Sequence, residues 1–174
     1  LPAWLAFWMR GLVPEPEDWV PASRRAGVVR PRILDLFRGP VRATTWKTMV
    51  VCACSLTAWW AFMFWNAQHV RNLPDLADWP RVQREGLVSM AFFMVIAASM
   101  AGNFFGGLLA RWLGYRRAIA LMFLGFFVSM LVSYAVPRDS ASLIRTIPWV
   151  GFFSGVFGLF TMYLPPLFPT LLRT

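Results

Sequence analysis

Long stretches without charge alternate with short polar ones along this chain. Leu87 to Ala110, LVSMAFFMVIAASMAGNFFGGLLA, holds no charged residue. Arg111 to Arg117, RWLGYRR, interrupts it, and a second uncharged run follows from Ala118 to Val136. An α-helix rises about 1.5 Å per residue, so about 20 residues cross a hydrocarbon core of roughly 30 Å. Both runs are long enough, and the basic turn between them makes a hairpin. Thr48 to Val70 is a third run, uncharged apart from neutral His69. Thr146 to Leu172 is a fourth, broken towards its end by Pro165, Pro166 and Pro169. The pattern predicts an all-α, polytopic helical membrane protein with spans at about residues 46–69, 87–110, 116–136 and 147–164. A transmembrane barrel would need short alternating strands, and these are missing.

The polar stretches give the order of the segments. Leu1 to Met9, LPAWLAFWM, is too short to span and reads as the end of a truncated helix closing at Arg10. An interfacial amphipathic piece with Trp4 and Trp8 on one side is the alternative. Residues 11–43 are rich in Pro and Arg and form a linker, in which Arg32 to Gly39 carries Ile33, Leu36 and Phe37 on one helical face. The remainder, 44–174, is a partial transmembrane bundle. Because the chain begins with Leu1 inside apolar sequence, it reads as an internal segment of a longer protein.

Charge then orients the bundle. The 11–43 linker is basic, with Arg24, Arg25, Arg30, Arg32, Arg38 and Arg42 against Glu15, Glu17, Asp18 and Asp35. The loop at 71–86 is balanced, and the 111–117 turn carries Arg111, Arg116 and Arg117 with no acid. The loop near 138–145 is nearly neutral, and Arg173 follows the last span. Basic segments stay on the cytoplasmic side, which puts the linker, the 111–117 turn and the C-terminal end inside.

Composition agrees with a membrane location. The chain is 58% hydrophobic, 17% aromatic and only 14% charged, where soluble domains carry about 25% charged residues. A net charge of +9 would suit a nucleic-acid partner. Membrane-length apolar runs interrupt these charges, so no nucleic acid is expected and the partners are the lipid bilayer and the rest of the bundle. Cys52 and Cys54, two apart in an apolar run, fall on different sides of a helix and imply neither a disulfide nor a metal site. No phosphate-binding loop, HExxH or CxxC is present, so no catalytic residue, cofactor or metal is expected, and the chain reads as a non-enzyme.

Two features of the spans draw notice. Ala98, Gly102, Gly106 and Ala110 line one face of the second span, and Gly151, Gly155 and Gly158 make a similar face in the last. Small residues let helix backbones approach closely in lipid, for packing or for sliding. The third span, with Met122, Phe123, Phe126, Phe127 and Met130, reads as lipid-facing and peripheral. No Asp, Glu, Lys or Arg lies deep in a span, which leaves no obvious proton carrier. The polar candidates are Asn66, Gln68, Asn103, Ser154, Thr161 and Tyr163. Trp59 and Trp60 face either lipid or a cavity. His69, near an aqueous end, reads as an interfacial histidine.

Three stretches carry a resemblance. Residues 107–117 match a motif of Gly, three residues, an acid, a basic residue, any residue, Gly, any residue and two basics at Gly107, Gly114, Arg116 and Arg117. Arg111 stands in the acid's place and Trp112 in that of the first basic residue. VPEPEDW, Val13 to Trp19, is similar to the VPESPxW signature, and PPLFPTLLRT, Pro165 to Thr174, to an acidic-Leu/Phe-Pro-Thr-x-x-Arg stretch. In this order they resemble the second half of a major facilitator superfamily transporter of the sugar-porter or organic-acid-symporter type.

That resemblance implies the end of transmembrane helix six at residues 1–10, the cytoplasmic central loop at 11–43, and helices seven to ten in 44–174. The N-terminal half-bundle and the last two helices would be missing partners. It further implies secondary active transport by alternating access, with a small organic solute, an organic acid or sugar, and protons as the coupling ion. Helices seven and ten would line the cavity, making Trp59, Trp60, Asn66, Ser154 and Thr161 candidate cavity residues beside Asn103. The alternative is a sensor or scaffold of the same fold that does not transport. Arg- and Ala-rich composition suggests a bacterial inner membrane.

Overall fold

The computed structural model describes residues 32–169, so the Val13–Trp19 stretch, the 1–10 segment and Arg173 lie outside the described residues. Among the described residues every regular element is helical. Four helical stretches, Gly39–Arg71, Arg81–Leu113, Tyr115–Tyr134 and Ser140–Leu167, are long and apolar enough to cross a membrane. The chain is an all-α, multi-spanning membrane protein. Within these stretches the α-helices are α1 (Arg42–Arg71), α2 (Arg81–Leu113), α3 (Tyr115–Tyr134), α4 (Ser140–Ser154) and α5 (Val156–Tyr163).

The described residues group into two compact units, one made of 32–49 with 164–169, the other of 50–163. In the smaller unit a 3-10 turn, Ile33–Phe37, precedes the first turns of α1. The Thr45 hydroxyl is buried and donates to the Leu36 carbonyl at 2.6 Å, with the Val41 carbonyl at 3.0 Å. Phe37 meets Trp46 edge-on at 5.7 Å between ring centres. The face anticipated from Ile33, Leu36 and Phe37 thus belongs to a 3-10 turn, not an α-helix. Ile33 stays 79% exposed while Leu36 and Phe37 are half-buried.

In the larger unit the closest-packed helix pair is α2 with α4, and α3 packs on both. Their contact is made possible by glycine. A methyl group at Gly102 would run into the Phe152 carbonyl, one at Gly151 into the Val95 backbone, and one at Gly155 into the Gly102 backbone. In lipid, where burying apolar side chains gains little, such backbone approach is a main source of helix association. Gly106 is looser, with the Leu159 side chain 3.5 Å from where its Cβ would be. Ala98 is half-buried.

Gly114 closes α2 at φ 79°, a conformation that favours glycine, and its N–H bonds the Ala110 carbonyl at 3.0 Å. That residue turns the chain from α2 into α3. The last apolar run divides at Gly155 into α4 and α5, and Pro148 lies inside α4. Proline removes one backbone donor, which weakens the helix upstream of the break.

The third span is more embedded than its bulky sequence suggested. Met122 is 1% exposed and packs with Ala118, Val156 and Leu159, and Phe126 and Met130 pack against the main core; Phe127 remains exposed. The lipid-facing expectation holds for one side of α3 only: the helix packs on both α2 and α4, so Met122, Phe126 and Met130 turn inward while Leu124, Phe127 and Leu131 stay outward. Exposed Phe93, Phe104, Leu124 and Phe127 form apolar surface that a bilayer would cover.

Outside the spans, polar contacts join the ends. Arg71 and Glu85 form a two-point pair, both at 2.9 Å, between the end of α1 and the start of α2. The Ser140 backbone N–H, at the start of α4, donates to Asp75 Oδ2 at 2.9 Å. Hydrogen bonding from Ser140 holds the Asp75 carboxyl below the usual carboxylate range.

Candidate functional site

The inward stripe of α1 runs Trp59, Phe62, Asn66, Val70, at helical spacing. Trp59 lies 5.6 Å from Phe157 of α5, 6.4 Å from Phe126 of α3, and 5.7 Å from Phe62, between ring centres. Close backbone packing of the kind seen between α2 and α4 is lacking for α1. Aromatic side chains reach across instead, and such rings can reorient or part more readily than interlocked backbones.

Asn66 sits in this aromatic layer with no exposed surface. Its Oδ1 accepts from the Tyr134 hydroxyl at 2.8 Å. Its Nδ2 is buried and has no hydrogen-bond partner among the described residues. A buried unpaired amide donor costs free energy, so the position favours any acceptor oxygen able to reach it. Around the pair, Trp65 stacks on His69 at 4.7 Å and meets Tyr134 edge-on at 4.6 Å, while His69 lies 5.4 Å from Tyr134. His69 is therefore part of an aromatic group and more than a surface residue. The layer is apolar and ring-lined, with one free amide donor inside it.

The other candidates are dispersed. Trp60 is 58% exposed and lies off the stripe that carries Asn66. Asn103 is exposed, yet its Oδ1 occupies the space a Cβ at Gly158 would need. Ser154 is buried and donates to the Gly151 carbonyl at 2.6 Å, one turn back on its own helix. Exposed Thr161 donates to the Gly158 carbonyl at 2.8 Å. Of the six cavity candidates, Trp59 and Asn66 share one face of α1, Ser154 lies at the α4–α5 break, Trp60 and Thr161 are on exposed surface, and Asn103 is exposed with its Oδ1 turned towards Gly158. Gln68 is exposed too.

In the loop motif, Gly107 has open space about it, Arg111 and Arg117 are exposed, and Arg116 Nε donates to the Tyr163 hydroxyl at 3.1 Å. Tyr115 stacks on Tyr163 at 5.9 Å. Arg116 thus ties the start of α3 to the end of α5. Among the described residues no cluster of three His, Cys, Asp or Glu side chains forms.

Sequence reading missed Tyr134, the partner of Asn66, and Phe126 and Phe157, which frame Trp59. A tyrosine near the end of an apolar run was the available signal for Tyr134, but an interfacial belt gives the same signal. No protein-family model, curated protein or solved structure matches this chain.

Proposed function

We propose that this chain is part of a secondary active transporter, of the major facilitator kind, that moves a small organic solute by alternating access. In this reading residues 1–10 end helix six, 11–43 form the central loop, and α1, α2, α3 and α4–α5 are helices seven to ten. The observation that carries the reading is the last span. Its helix is interrupted for one residue at Gly155, which keeps right-handed helical φ and ψ and lies against the Gly102 backbone of α2, and α5 follows from Val156. Discontinuous helices beside a substrate site are a recurring device of secondary transporters. The seam fixes α4 on α2 backbone to backbone, while α5 meets α2 through the Leu159 and Asn103 side chains.

Trp59 and Asn66 are the residues assigned to the solute. Trp59 offers a ring face to an aromatic or aliphatic body, and Asn66 Nδ2 a donor to a carboxylate, carbonyl or hydroxyl oxygen. Proton coupling is the family expectation, and its carrier would come from the other half of the bundle, since no spanning segment here holds a deep acid. The chemistry is translocation, without catalysis or a cofactor, and the location is a multi-pass membrane, by composition a bacterial inner one.

The test is uptake by the intact protein in proteoliposomes under an imposed proton gradient, with aromatic and other organic acids against sugars. Saturable, gradient-driven flux of one class supports the reading and names the class. Absence of flux from both panels in folded protein contradicts it.

A further inference from the structure

On the side of α3 away from α1 lies a long groove of about 550 Å³, walled by α2, α3 and α4. Leu109, Leu121, Leu124, Val128, Trp149 and Phe153 line it. It does not include Trp59 or Asn66. We propose that this groove holds one acyl chain of an anionic glycerophospholipid, with the headgroup phosphate on Arg138 and Arg145.

Three observations carry this. The first is length. From Leu121 to Ser133 the groove follows α3 for about 18 Å at about 1.5 Å per residue, close to half of a hydrocarbon core of roughly 30 Å. That is the depth of one leaflet, which a single acyl chain spans.

The second is chemistry at one end only. Ser133 lines the groove, is 1% exposed, and its hydroxyl has no hydrogen-bond partner among the described residues. The other hydroxyls of the groove are satisfied: Ser129 donates to the Phe126 carbonyl at 2.9 Å and Thr146 to the Leu143 carbonyl at 3.1 Å. A lipid ester carbonyl at the depth of Ser133 would supply the missing acceptor.

The third is charge. Arg138 Nε donates at 2.9 Å to the carbonyl of Val132, itself a groove residue, so its guanidinium is fixed at that end. Arg145 is exposed, directly precedes Thr146 and lies one helical turn before Trp149. Asp139, hydrogen-bonded by Ser142 and beside Arg145, and Asp75, hydrogen-bonded by Ser140, are the nearby acids. Both carboxylates already accept hydrogen bonds from the protein, so the Nη groups of Arg138 and Arg145 remain the donors at this end. Phosphate, ester and chain thus meet arginine, serine and apolar wall in the order a glycerophospholipid presents them.

The test is photo-crosslinking of the intact protein in nanodiscs with phosphatidylglycerol carrying a photoreactive group on its acyl chain. Labelled peptides are expected from 121–133 and 146–153, with unlabelled phosphatidylglycerol competing better than phosphatidylcholine. Arg138→Gln and Arg145→Gln should each lower competition about fivefold, the worth of one arginine at an anionic lipid surface. Val128→Trp should block the groove and abolish labelling; if that variant fails to fold, the surface arginine variants decide. The proposal is overturned by labelling spread evenly over all outward faces, by arginine variants that compete like wild type, or by a second copy or another helix found crosslinked into the groove.

Discussion

Asn66 is held on one side of its amide and unpaired on the other. Its Oδ1 is engaged by Tyr134 and its Nδ2 is not. Tyr134→Phe removes the hydroxyl and leaves the amide wholly unpaired. Hydrogen bonds between transmembrane helices are worth about 0.6 kcal/mol on average and about 1.7 at most, so the expected loss is in that range. A thermal melt of the purified protein in detergent measures it. Asn66→Ala should lower uptake more than tenfold in protein that still folds, because a donor built to meet an oxygen is not replaced by an apolar wall. Asn66 was legible in the sequence as an amide inside an apolar run. Its partner was not, because Tyr134 lies 68 positions away and only the packing of α1 on α3 joins them.

Glycine positions separate helix contacts from open space. Gly102→Ala and Gly151→Ala would drive a methyl into the backbone of the facing helix. Each should destabilise by about 1–3 kcal/mol, as overpacking does. Gly107→Ala meets nothing and should be neutral, or stabilise by about 0.5–1 kcal/mol through better helix propensity. Melting midpoints of the three variants distinguish them, and equal shifts would refute the seam. The all-helical, multi-spanning architecture was legible from the apolar runs, and the glycines from their spacing of three and four. The break at Gly155 was not, because apolar sequence continues through it. Burial of Met122 was hidden for a similar reason, since bulky residues suit a wedge between helices as well as lipid.

The link between Asp75 and the start of α4 belongs to the same scale. Its carboxyl is depressed in the folded protein, so the bond from Ser140 contributes stability above the unfolded value near pH 4, about 3.9 for an aspartate. That contribution is lost as pH falls through the lower folded value. The melting midpoint of wild type should therefore exceed that of Asp75→Ala at neutral pH, and the gap should close below about pH 4. A gap unchanged down to pH 3 would show that the carboxylate is not what matters there.

At the scale of the whole molecule, two ends of the bundle are tied differently. Arg71–Glu85 and Asp75–Ser140 join elements at one end, and Arg116–Tyr163 joins α3 to α5 at the other. Between them lie the aromatic layer with Asn66 and the divided last span. Alternating access needs Asn66 to be reachable from one aqueous side and then from the other. The most direct measurement is labelling of Asn66→Cys, with Cys52 and Cys54 changed to Ser, in the intact protein reconstituted in vesicles. A membrane-impermeant thiol reagent is applied from each side in turn. Reaction from both sides is expected, slowed by a transported solute. Reaction from neither side, in protein that elutes as a single folded species, would contradict it.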